Sequence, residues 1–111
     1  MHEASLGREL VAVVLARLPE GARARTVRGR LSETETISPV SVQLHFHLAA
    51  AGTPLEHAQL QLEVEHVRAR CRSCRAVYLP EHHLTLCPDC GGADGEILGD
   101  TGLWVDEVEL F

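Results

Sequence analysis

The stretch CRSCRAVYLPEHHLTLCPDCGG, residues 71–92, decides the fold of this protein. Its cysteines have the spacing C-x2-C-x12-C-x2-C, in which each C-x2-C loop presents two thiolates to one tetrahedral ion. A closed shell of four thiolates leaves no open position for water, so the predicted zinc ion is structural and contributes folding free energy. The predicted zinc ligands are Cys71, Cys74, Cys87 and Cys90.

Other interpretations of this stretch have less support. A thioredoxin-like redox pair needs a helix directly after its C-x-x-C, and no helical pattern follows either pair. A zinc ribbon that binds nucleic acid is favoured by the arginines around the first pair, but the second pair has only acidic neighbours and aromatic side chains are scarce. His82 and His83 are alternative zinc ligands, although simple exposure is the preferred explanation for both.

Glycine follows the last cysteine directly, at Gly91. Because glycine has no Cβ, we expect this position to let backbone N–H groups approach the sulfur.

Composition excludes several classes of protein. The 111 residues carry 10 basic and 16 acidic side chains, a formal net charge of −6, which argues against a phosphate-backbone binder and predicts no nucleic-acid partner. The longest apolar stretch, Leu10 to Leu18, is too short to cross a bilayer, so no membrane association is predicted. The N-terminus lacks the features of a signal peptide, and the expected location is the cytoplasm.

Helical and strand periodicities flank the cysteine region. Apolar residues recur at helical intervals from Glu3 to Leu18, where Pro19 and Gly21 stop the pattern, and this predicts an amphipathic helix. The segment from Ala24 to Glu33 alternates apolar and polar residues, which predicts a half-buried strand.

The segment from Val40 to Ala51 is ambiguous. Its apolar residues alternate with polar ones as in a strand, but Ser38 is a good N-cap, Pro39 suits the first helical position and Gly52 is a natural terminator. We predict a helix, in which His45 and His47 diverge by about 200°. In a strand the two histidines would share a face and could bind one metal ion.

Two further strands complete the prediction. One, with Leu60, Leu62 and Val64 on one face, runs into Cys71, and another spans Leu103 to Phe111 and rejoins the first sheet. The predicted fold class is α+β, with two helices packed on a small, mainly antiparallel sheet and an inserted zinc-knuckle module. The predicted domains are residues 1–69 plus 96–111, an α/β domain, and residues 70–95, the zinc module.

The N-terminus offers a second set of metal donors in the sequence Met1-His2-Glu3. A large residue at position 2 disfavours removal of the initiator methionine, so the α-amine stays next to His2. The amine, neighbouring deprotonated amides and one imidazole supply nitrogen donors in a plane, which suits Ni(II) or Cu(II) better than zinc. No His-Glu-x-x-His or Ser-His-Asp arrangement can be assembled, and the chain is predicted not to be an enzyme.

The sequence resembles the HypA/HybF hydrogenase nickel-incorporation proteins over its whole length. The similarity rests on the opening MHEASL, the first helix, the strand near Arg28 to Leu31, both C-x2-C loops with CPxCG in the second, and the closing strand after Gly99-Asp100. Gly7-Arg8 and Thr101-Gly102 depart from the usual pattern, and no histidine stands directly beside Cys87 or Cys90.

The resemblance implies a nickel metallochaperone. Ni2+ would be its cargo, held at Met1, His2 and Glu3, with Glu3 tuning the nickel site or a partner contact, and Zn2+ would be held by the four cysteines. The implied partners are the nickel-handling GTPase of the hydrogenase maturation pathway and the large subunit of [NiFe] hydrogenase, and some family members also serve urease. The alternative is a zinc-ribbon adaptor that binds protein or RNA without a nickel role.

Overall fold

Two helices and six strands form the part of the chain that the structure, a computed structural model, describes: residues 2–34, 37–80 and 85–111, without the side chain of His2. Some of the residues named in the sequence predictions lie outside this part of the chain: Met1, the side chain of His2, His82 and His83. In chain order the elements are α1 (His2–Arg17), β1 (Ala24–Glu33), α2 (Pro39–Ala50), β2 (Gln59–His66), β3 (Arg68–Cys71), β4 (Val77–Tyr78), β5 (Gly95–Leu98) and β6 (Gly102–Leu110).

Helix α1 confirms the first predicted element. It buries Leu10, Val11 and Val14, which recur on one side of the helix. The helix ends before Pro19, where the Leu18 amide still donates to the Val14 carbonyl at 3.1 Å. No helix in the described ranges is long and apolar enough to span a membrane.

The ambiguous segment forms a helix, α2, as its capping signals predicted. Ser38 has extended backbone angles and its hydroxyl accepts the Ser41 amide at 3.2 Å, so it is the N-cap. Pro39 occupies the start of the helix, and Gly52 follows the end with φ +76°.

The first sheet has the strand order β2-β1-β6, so the closing strand rejoins the first strand as predicted. The guanidinium of Arg30 on β1 donates to both carboxylate oxygens of Asp106 on β6, at 2.9 and 3.0 Å. This exposed bidentate pair holds the pKa of Asp106 below its usual value, with hydrogen bonding from Arg30 as the main cause.

A second sheet, β4-β3-β5, was not predicted. Its strands are antiparallel, and Ala69 in the central strand lies opposite Tyr78 and Ile97. The strand expected to run from Leu60 into Cys71 is interrupted at Val67, whose amide donates to the Glu33 carbonyl at 3.0 Å. The segments before and after this residue pair with different strands, which is why the single predicted strand is two.

The chain forms two compact units. The first contains Met1–Arg30, Ile37–Glu63 and Leu103–Phe111, and the second contains Leu31–Thr36 and Val64–Gly102. The predicted zinc module, residues 70–95, lies within the second unit. Fully buried side chains of the first unit include Leu10, Val14, Val27, Val42 and Phe46.

Gly7 allows α1 and α2 to pack closely. A Cβ at this buried position would lie 2.7 Å from the carbonyl carbon of His45 and 2.7 Å from the amide nitrogen of Phe46. Both are backbone atoms of α2, so the neighbour cannot rotate away. Glycine at position 7 is therefore required by the approach of the two helices.

We expect Gly7→Ala to lower the free energy of unfolding by about 1–2 kcal/mol, because overpacking outweighs alanine's better helix propensity. Chemical denaturation followed by circular dichroism measures the change. Ser5→Ala is the control, since Ser5 is exposed on the same helix and should be neutral or slightly stabilising. Equal or greater stability of Gly7→Ala would show that the helices can separate without cost.

Candidate metal centre

Two backbone turns of the same design hold the four cysteines. In the first turn the Arg75 amide donates to the Cys71 carbonyl at 2.9 Å, and the Cys71 amide donates to the Ala76 carbonyl at 2.9 Å. In the second turn the equivalent bonds, Gly91 amide to Cys87 carbonyl and Cys87 amide to Gly92 carbonyl, are also 2.9 Å. Each loop is thus closed by its own backbone, which fixes the direction of its cysteines.

Each turn contains one residue with left-handed backbone geometry, directly after its second cysteine. The residue is Gly91 in the second turn, with φ 72°, and Arg75 in the first, with φ 65°. Arg75 is the one non-glycine residue with positive φ among the residues described, so the first turn carries backbone strain that the second avoids.

The four sulfur atoms converge. All lie within 4.8 Å of one another, and the Sγ atoms of Cys71 and Cys90, like those of Cys74 and Cys87, are 3.5 Å apart. Four sulfurs bound tetrahedrally to zinc at 2.3 Å would be separated by about 3.8 Å. The donor set therefore fits a metal such as zinc.

Two of the thiols, Cys71 and Cys74, have pKa values shifted in opposite directions. The backbone amide of Cys74, with that of Ser73, lowers the pKa of Cys71 to about 6. The Ala76 amide acts to lower the pKa of Cys74, but the neighbouring Cys87 sulfur and burial outweigh it and raise that pKa to about 12. A bound divalent cation would supply the charge that lets all four thiolates coexist.

The amide that approaches the Cys90 sulfur belongs to Gly92, whereas the sequence predicted this contact at Gly91. The Gly92 amide lies 3.4 Å from the Cys90 sulfur, and an added Cβ would lie 3.3 Å from that same sulfur. Gly91 instead supplies the positive φ of the turn. The predicted N–H contact to the sulfur is therefore present, but at Gly92 and not at Gly91.

Tyr78 packs in one buried cluster with Cys71 and Cys87 and was not identified from the sequence. Its hydroxyl donates to the Thr85 carbonyl at 2.6 Å. Burial, followed by the negative charge of Cys71, raises the pKa of Tyr78, so it remains neutral. Gly95 is required beside it, because a Cβ there would collide with the Tyr78 hydroxyl. A single tyrosine inside a cysteine module is the only sequence signal for this role.

At the N-terminus, the structure places the backbone of His2 and the whole of Glu3 in the first turn of α1. A Glu3 carboxylate oxygen lies 3.5 Å from the Ser38 amide, which brings the start of α1 next to the start of α2. Hydrogen bonds from the backbone amides of Glu3 itself and of Ser38 lower the pKa of Glu3. Glu3 is consequently an anion at neutral pH.

Because α1 begins at His2, its first amide groups have no backbone carbonyl acceptor within the helix. The first four N–H groups of an α-helix have no partner one turn earlier. The helical ψ angle also places the amide nitrogens of consecutive residues on the same side of the chain, as ligands of one ion must be. His45 and His47, by contrast, lie on α2, where the 200° rotation between them keeps them from forming the site that a strand would have allowed.

Two helices, a three-stranded sheet and a four-thiol module define a metal-binding protein with a ribbon-like module. The sequence profile described as "Hydrogenase/urease nickel incorporation, metallochaperone, hypA" matches residues 1–110. The chain belongs to this family, and it is a nickel metallochaperone of hydrogenase maturation, as the resemblance implied.

Individual relatives agree with this assignment. A protein named hydrogenase maturation factor HypA from Moorella thermoacetica is 32% identical over 114 residues, covering 98% of both chains. Another of that name, from Methylocella silvestris, is 30% identical over 112 residues and 99% of both chains. The solution structure of the Ni metallochaperone HypA from Helicobacter pylori has a TM-score of 0.59 over 97% of this chain and 96% of that chain, at 18% identity, which shows the same fold.

The two left-handed positions predict opposite effects of substitution. Gly91→Ala should destabilise the metal-loaded protein by about 1–2 kcal/mol, because a residue with a Cβ disfavours this geometry. Arg75→Gly should be neutral or stabilising by up to about 1 kcal/mol, because relief of strain is partly offset by backbone entropy. Thermal unfolding at equal zinc content measures both, and loss of stability in Arg75→Gly would contradict the assignment of strain to the first turn.

Proposed function

We propose that nickel binds at the N-terminus through Met1, His2 and Glu3. The donors are the α-amine, the imidazole of His2 and the first backbone amides, which together favour planar Ni(II) coordination. The observation that carries this proposal is the helix start at His2, because it gives those amides no carbonyl acceptor one helical turn earlier. Membership of a nickel-incorporation family supports the same cargo.

In this proposal Glu3 positions the nickel site. Its carboxylate lies beside the Ser38 amide, at the N-cap of α2, so its negative charge lies at the first turn of α1. An anion there lowers the energy of a nearby divalent cation. A terminal, open ligand set lets nickel leave for an acceptor, whereas a closed set would retain it.

We further propose that Cys71, Cys74, Cys87 and Cys90 hold a structural zinc ion. The support is the convergence of the four sulfurs and the chemistry of thiolates, which are the preferred ligands of structural zinc. Nickel and zinc are thereby assigned to separate donor sets, nitrogen for the cargo and sulfur for the resident ion.

The proposed setting is the cytoplasm, and the proposed partners are the nickel-handling GTPase of the maturation pathway and the large subunit of [NiFe] hydrogenase. The proposed division of labour is a nickel-binding α/β domain, residues 1–69 plus 96–111, and a zinc module, residues 70–95. The chain itself catalyses no reaction in this scheme, because its task is to hold and release an ion.

His2→Ala should abolish high-affinity nickel binding in untagged protein, because it removes the only imidazole of the proposed set. Isothermal titration calorimetry with Ni(II), together with the absorbance of a planar nickel complex, measures the loss. His47→Ala, which removes an exposed imidazole from α2, is the control and should bind nickel as the wild type does. Identical nickel binding by His2→Ala and wild type would remove the N-terminal site from consideration.

Cys74→Ser should reduce zinc content well below one ion per chain and destabilise the second unit. One ligand of a closed tetrahedral shell is lost, and zinc binding is coupled to folding in such modules. Metal analysis by mass spectrometry and backbone NMR of residues 64–102 provide the two measurements. Ser73→Ala, next to it in the same loop, should retain full zinc. A Cys74→Ser protein with full zinc occupancy would refute the ligand assignment.

A further inference from the structure

Helix α2 exposes a row of large apolar side chains, which we call the α2 stripe: Val40, Leu44 and Leu48. Their exposed fractions are 78%, 57% and 64%. Residues four apart lie above one another on a helix, so the three form one continuous surface. The stripe is separate from the buried side of the same helix, which is formed by Val42, Phe46 and Ala50.

The stripe lies on an uncharged helix. The sequence PVSVQLHFHLAA of α2 contains no Asp, Glu, Lys or Arg, although 23% of all residues in the chain are charged. A solvent-facing helix surface is ordinarily polar, and a contiguous apolar patch on a soluble protein marks an interaction site. Its partner must therefore present an uncharged, apolar surface at the point of contact.

The size of the stripe disfavours a stable dimer of this chain. A stable protein interface buries about 800 Å² on each partner. Three aliphatic side chains, each smaller than an aromatic one, bury less than about 750 Å² together. A second copy would also bring the same net charge of −6. A small apolar contact suits instead a partner that binds briefly and dissociates.

The position of the stripe connects it with the proposed nickel site. Val40 is two residues from Ser38, whose amide lies 3.5 Å from the Glu3 carboxylate at the start of α1. The stripe thus begins beside the N-terminal turn and extends along α2 for about 12 Å, because each residue of a helix rises 1.5 Å. A protein docked on the stripe would have its surface next to the proposed nickel ligands.

We propose that the α2 stripe is the docking surface for the protein that exchanges nickel with this chain, and that this protein receives the helix face in an uncharged apolar groove. The proposal rests on the proposed function. It uses the helix-in-groove mode of recognition, in which residues spaced by one helical turn serve as anchors. Docking on the stripe would orient the nickel-bearing terminus toward its acceptor and would be reversible because the contact is small.

The test is the double substitution Leu44→Gln and Leu48→Gln in untagged, zinc-loaded protein. Glutamine has nearly the same helix propensity as leucine, and both positions are exposed, so the fold should be retained. The control is Leu110→Gln, which replaces an exposed leucine of β6. The probes are the purified nickel-handling GTPase and hydrogenase large subunit of the same organism, each assayed for binding by biolayer interferometry and for the rate of nickel transfer.

The expected result is at least about a tenfold loss of binding and transfer with the partner that exchanges nickel with the wild type, because anchor residues dominate such contacts. Nickel affinity, zinc content and the control variant should be unchanged. Wild-type transfer by the double variant would overturn the proposal, as would sedimentation of the wild type as a dimer that the double variant dissociates. Failure of the proposed function is detected separately, by unchanged nickel binding of His2→Ala. Absence of nickel transfer by the wild type would contradict both the proposed function and the proposed docking role of the stripe.

Discussion

The second unit depends on four sulfur atoms meeting at one point. Among its described residues, Ala69, Cys71, Tyr78 and Cys87 form one buried cluster, so two of the four side chains in that cluster are themselves candidate metal ligands. A core of this size removes too little apolar surface from water to offset the entropy of ordering the chain. A bound ion would supply the missing free energy, and the short strands around it can then form.

Local signals predicted the longer elements well. Helix α1 and strands β1 and β6 begin and end within one residue of the predicted bounds, because periodicity or strand-forming composition over nine or more residues is a property of the segment itself. Strands β3, β4 and β5 have only two to four residues, too few to show alternation. They form because antiparallel neighbours pair with them, and that pairing depends on the path of the chain around the cysteines.

The ambiguity of α2 has a physical explanation in its two apolar faces. Residues two apart on a helix differ by about 200°. The even-numbered apolar positions therefore divide into a buried row, Val42, Phe46 and Ala50, and the exposed α2 stripe. Two rows of period four, offset by two, produce the same alternation as a strand. Capping by Ser38 distinguished the structures where apolar patterning could not, because a helix with two apolar faces produces the same pattern as a strand.

The cysteine set was predictable because its spacing is local, whereas the contacts that support both proposed metal sites join distant residues. Tyr78 meets Gly95, and Glu3 meets the amide of Ser38, only after folding. These contacts have different consequences for an ion. Backbone turns orient every sulfur of the module, so release of its ion would require the unit to open. The proposed nickel ligands sit at a chain end that one helix orients, so exchange there would leave the rest of the fold intact. A carrier needs this asymmetry, since its scaffold must outlast many transfers of its cargo.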